Sequence, residues 1–86
     1  MFVIEDEAHA EQLGEFPTRE AATAELQRLS KLPWNEAPNV APCAGWRTCG
    51  RKYELVQYDA TSAPWREMTR VPVLNVSAEG IEWLLP

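Results

Sequence analysis

The stretch from Arg19 to Leu32 constrains this chain most, because its pattern suits a helix and little else. Ala22, Leu26, Leu29 and, one turn on, Leu32 or Pro33 make one apolar stripe at helical spacing. Thr18 is placed to cap the first turn, where Glu20 also stands. Arg28 and Lys31 gather in the last turn, where the helix dipole favours cations, and Pro33 closes the segment. A single stripe needs one apolar surface to cover, and a sheet face supplies it most simply.

The flanking segments have the period of strands. In Met1–Asp6, Phe2 and Ile4 share one face, and Met1, Val3 and Glu5 the other. Glu7, Ala8 and His9 form a turn before a returning strand, Ala10–Phe16. Leu13 and Phe16 lie at opposite parity, so a bulge at Gly14 is needed to bury both. Arg51–Asp59 is apolar on both faces, as a central strand is: Tyr53, Leu55 and Gln57 on one, Glu54, Val56 and Tyr58 on the other. Ala60–Pro64 is a loop by composition, and Trp65–Arg70 a strand that Pro72 interrupts or marks as an edge. Val73–Val76 and Ile81–Leu85 flank Ser77-Ala78-Glu79-Gly80, which favours a hairpin with Gly80 at positive φ. The alternative, a helix capped by Ser77, would carry Gly80 in its first turns at a cost. The expected fold is α+β, a mostly antiparallel sheet with one helix on a face. The order is ββαβββ, with a long irregular loop between the helix and the third strand.

Gly14-Glu15-Phe16-Pro17-Thr18-Arg19-Glu20-Ala21, followed by Leu26, resembles the strand-to-helix junction of small uncharacterised bacterial α+β domains. The resemblance covers residues 2–32 and implies a fold with no activity attached.

At 86 residues the chain is expected to be a single domain, 1–86, with a thin core. Its net charge of −5 disfavours general binding to nucleic acid or anionic membranes. Residues 1–36 hold eight acids against three bases, whereas residues 37–86 hold five of each. The N-terminus has neither the basic start nor the long apolar run of an export signal, and no segment approaches a membrane span. The expectation is a soluble, cytoplasmic protein, in which cysteines are more often reduced than bridged.

Pro33–Lys52 fits no regular element, yet it holds both cysteines, two of the four tryptophans and three of the eight basic residues. A long irregular segment in a short chain usually serves a function. Cys43 and Cys49 have neither thioredoxin-like nor zinc-knuckle spacing. Packed thiols are the first reading and a disulfide the second; a metal site comes third, because zinc wants four ligands and His9 is the sole histidine, although Asp59 or a glutamate could complete a set. A catalytic thiol activated by Arg47 and Arg51 is a lesser reading. His9 in a turn is most simply solvated. Glu5, Asp6, Glu7 and Glu11 lack calcium-loop spacing and form a solvated acidic face most simply.

Arg47, Arg51 and Lys52 could clasp a carboxylate or phosphate, or else pair with acids of the first half. Trp34 and Trp46 either roof the core or, with the arginines, form a protein-binding surface. No phosphate loop, nucleophile elbow or paired-histidine motif is present. The leading expectation is a non-enzymatic domain without a cofactor that binds another protein through Trp34, Trp46, Arg47, Arg51 and Lys52. A thiol or metal site at Cys43 and Cys49 and small-anion binding are the alternatives.

Overall fold

A computed structural model describes residues 1–43 and 49–85. Five antiparallel strands form one sheet: β1 Phe2–Asp6, β2 Glu11–Phe16, β3 Gly50–Asp59, β4 Arg66–Ser77 and β5 Gly80–Trp83. Their order in the sheet is β2-β1-β3-β4-β5, and the one helix, α1 Arg19–Leu29, lies between β2 and β3 in the chain. The fold is therefore the expected α+β domain in the order ββαβββ. Among the described residues no helix is long and apolar enough to cross a membrane.

Helix and sheet meet as the stripe requires. Ala22, Leu26 and Leu29 pack with Ile4, Tyr53, Leu55, Val73, Leu74 and Val76 in one buried cluster. Phe2, Leu13, Phe16, Trp34 and Trp83 close its edges. The Thr18 hydroxyl accepts from the Ala21 N–H at 3.1 Å. Leu13 and Phe16 both reach the core because β2 carries an extra residue opposite Val3–Glu5, and Gly14 takes φ +124° there. Residues 77–83 form the hairpin, with Gly80 at φ +133°.

Two boundaries differ from the sequence pattern. The helix stops at Leu29, short of Leu32, and its exposed carbonyls are taken up from further along the chain. The buried Asn39 amide donates to Leu29 O at 2.9 Å and Leu32 O at 3.2 Å. Tyr53 Oη donates to Asn39 Oδ1 at 2.8 Å, which ties the loop to β3. Burial pushes the Tyr53 hydroxyl up to about 12.

Pro72 lies inside one long strand, β4, rather than ending it. The ladder to β3 shifts register beside it, and β5 pairs only with Leu74–Ser77. Pro72 therefore sits at a bulge on a free edge, where its missing N–H breaks no pairing with β5.

Candidate metal centre

Asp6 ends β1 on the face shared by Phe2 and Ile4, so its carboxylate points into the protein. It is fully buried, and both of its oxygens are used. Oδ1 accepts from the Ala8 and Lys52 backbone N–H groups, each at 3.0 Å. Oδ2 accepts from His9 Nδ1 at 2.7 Å and Arg51 Nη1 at 2.9 Å. Burial alone would raise the Asp6 pKa, but these donors, Arg51 foremost, outweigh it and hold the carboxyl below its ordinary value.

The bond to Asp6 fixes the histidine. A carboxylate accepts only, so Nδ1 carries a proton, and in that tautomer Nε2 is the nitrogen whose lone pair is available. Nε2 lies 3.2 Å from Cys43 Sγ and 3.6 Å from Cys49 Sγ. The potential donor atoms of His9, Cys43 and Cys49 all fall within 4.8 Å of one another.

Each partner reaches this point from a different element. His9 lies in the β1–β2 turn, where its N–H bonds Asp6 O at 3.3 Å and Ala10 takes φ 55°. Cys49 immediately precedes β3. A Cβ on Gly50 would lie 1.9 Å from Val76 O, so only glycine lets β3 begin this close to β4. Cys43 ends the arm anchored by Asn39 and by Arg51 Nη2, which donates to Val40 O at 2.9 Å. The structure pairs Cys43 with Cys49, their Cα atoms 5.9 Å apart. That separation suits a disulfide and equally suits two thiolates on one metal ion.

The other residues singled out from the sequence are distributed differently. Arg51 is buried and paired with Asp6 and with Glu11 at 3.2 Å, so it joins the acidic first half. Trp34 is half-buried against the core, and Lys52 is exposed. Trp46 and Arg47 lie outside the described residues. The sequence reading missed Asp6 as the residue that orients His9. Its parity with Phe2 and Ile4 was the available signal, because a carboxylate on a buried face needs partners.

A cleft of about 590 Å³ adjoins the cluster, lined among others by His9, Cys49, Lys52, Asn75, Glu79 and Glu82. Two sulfurs and one imidazole nitrogen lie within 4.8 Å of one another and could hold a metal ion, with the Asp6 carboxylate behind the ring as support rather than as a ligand. Comparison with protein-family models, curated proteins and solved structures gave no match.

Proposed function

We propose that this chain is a small binding domain organised by a thiophilic divalent cation, for which zinc is the best fit, held by Cys43, Cys49 and His9. The observation that carries the reading is the His9 ring: its Nδ1 is held by buried Asp6 and its Nε2 faces both sulfurs. A cysteine pair that only bridges or fills space has no need of an oriented imidazole lone pair. Metal-bound histidines almost always donate their other N–H to a carboxylate, a carbonyl or water. A reducing compartment, in keeping with the cytoplasmic expectation, keeps both sulfurs available as thiolates.

The reduced protein is expected to take up one zinc per chain and to resist thiol alkylation until a chelator is added. His9→Ala should weaken zinc binding, and Asp6→Asn should weaken it by about 10–100-fold through the orientation of His9. Reduced protein that takes up no zinc, with both thiols freely alkylated in excess zinc, would falsify the reading.

A second reading is binding of a partner protein, favoured by the position of Trp46 and Arg47 between Cys43 and Cys49. A metal ion would tie both ends of that link. Loss of partner recovery in a pull-down with Trp46→Ala/Arg47→Ala, zinc content unchanged, is the expected result. Full recovery would remove this reading.

A further inference from the structure

We infer that the metal site is gated by oxidation: a small disulfide of the glutathione class joins Cys43 to Cys49, the bridge expels the cation, and reduction restores binding. The inference rests on the metal reading above. A cysteine ligates a metal ion as its thiolate, and a bridge removes both thiolates, so bridge and metal exclude one another. The imidazole left behind is too few donors for zinc, which takes four. Both states fit the same backbone. The Cα atoms of Cys43 and Cys49 lie 5.9 Å apart, which a disulfide spans without backbone movement. Their donor atoms also fall, with that of His9, within 4.8 Å of one another.

The surroundings of the sulfurs hold whichever state is present. On the Cys43 side, Arg51 Nη2 donates to Val40 O at 2.9 Å. On the Cys49 side, Gly50 pairs with Ser77 of β4. With the cysteines paired, His9 Nδ1 still bonds Asp6 Oδ2 at 2.7 Å and Nε2 still faces both sulfurs. The bridged form therefore keeps the imidazole ready for a returning cation. Both cysteines are half-buried, and Cys49 lines the cleft of about 590 Å³, which gives a small oxidant its route to the sulfurs. One protein thiolate attacks a sulfur of the oxidant, forming a mixed disulfide and releasing one glutathione thiolate. The second protein thiolate attacks the protein-bound sulfur of that mixed disulfide, forming the Cys43–Cys49 bond and releasing the other glutathione thiolate. The protein sulfurs are oxidised and the glutathione sulfurs reduced. Each released thiolate takes a proton from water, and the cation leaves hydrated.

Titration of the reduced, zinc-loaded protein with oxidised glutathione tests this, with free zinc read in an ultrafiltrate and bridging read by intact-protein mass. One zinc should be released for each intramolecular bridge formed, and a phosphine reductant should return it. At fixed reduced glutathione, raising free zinc by about tenfold should raise the oxidised glutathione needed for half-conversion by about the same factor. Protein that keeps its zinc and both thiols in excess oxidant, or that stops at a lasting mixed disulfide with glutathione, would overturn this inference and leave the metal site standing. Reduced protein that takes up no zinc before the oxidant is added would overturn the metal site and this inference together. Bridging with zinc retained, or half-conversion indifferent to free zinc, would do the same.

Discussion

Glu5 and Asp6 are neighbours in β1, yet they belong to two charge clusters on opposite faces of the sheet. On the open face, Arg70 from β4 reaches Glu5 at 3.0 Å, Glu54 at 2.8 Å and Glu67 at 2.7 Å. Glu5 also accepts from Tyr58 Oη at 2.5 Å and from Gln12 at 3.2 Å. The charges of that cluster are turned on one another, over buried Val3 and Val56. On the helix face, Asp6 gathers four donors, one of which is an imidazole whose second nitrogen points away from the cluster toward two sulfurs. One network is closed on itself, and the other leaves an imidazole nitrogen facing two sulfurs. Ion pairs of similar composition can thus differ in what they leave over: the Arg70 cluster leaves no nitrogen facing outward, whereas the Asp6 cluster leaves Nε2 of His9.

Removing the two hubs should break the comparison most sharply. Asp6→Ala leaves buried Arg51 without its main partner, and a loss of about 3–5 kcal/mol in urea unfolding is expected, together with weaker zinc binding. Arg70→Ala acts on a side chain 32% exposed, where solvent screens the pairs. About 1 kcal/mol and an unchanged zinc affinity are expected there. Equal losses of zinc affinity in the two variants would erase the distinction.

Asn39→Ala should come next, at about 1–3 kcal/mol, because it leaves the buried Tyr53 hydroxyl without its acceptor and the Leu29 carbonyl with the Leu32 N–H alone. The same variant should reduce zinc affinity less than Asp6→Ala does, since Asn39 anchors only the arm that carries Cys43. Chemical denaturation with and without zinc measures both effects.

Acid should separate the faces by a smaller margin. Burial pushes the Glu5 pKa up, but the Tyr58 hydroxyl and Arg70 outweigh it, and the carboxyl sits below its ordinary 4.5. A depressed carboxyl contributes stability that is fully present above 4.5 and is lost as pH falls through the lower folded value. The wild type should therefore lose stability below pH 4.5 more steeply than Arg70→Met, which removes one cause of the depression. Parallel pH profiles of the urea midpoint would show that Glu5 draws nothing from Arg70.

The smallest effect concerns the turn that carries His9. Ala10 holds a left-handed backbone at φ 55°, which suits glycine better. Ala10→Gly should gain about 0.5 kcal/mol, read as a small rise in the thermal midpoint. A clear fall would mean that the turn is not strained at this residue.

Much of the fold was legible because its signals are local. The α1 stripe, the Thr18 cap, the Gly14 bulge and the Gly80 hairpin each depend on residues close in sequence. The helix end was not legible, because the amide that takes up the Leu29 carbonyl comes from Asn39, ten residues on. The site was legible only in pieces. His9, Cys43 and Cys49 each drew notice, but 34 residues separate His9 from Cys43. Their meeting depends on the β1–β3 register that sets Asp6 opposite Tyr53. No periodicity in the chain encodes that pairing. Arg51 was partly readable: it shares parity with Tyr53 and Leu55, which places it on the core face.

The central claim is that His9 and both cysteines bind one metal ion together, and zinc K-edge absorption spectroscopy of the reduced, zinc-loaded protein tests it most directly. The account predicts two sulfurs at about 2.3 Å and two lighter donors at about 2.0–2.1 Å. Imidazole scattering should be present in the wild type and lost in His9→Ala. A zinc shell of oxygen and nitrogen alone, or one whose imidazole signal survives His9→Ala, would contradict it.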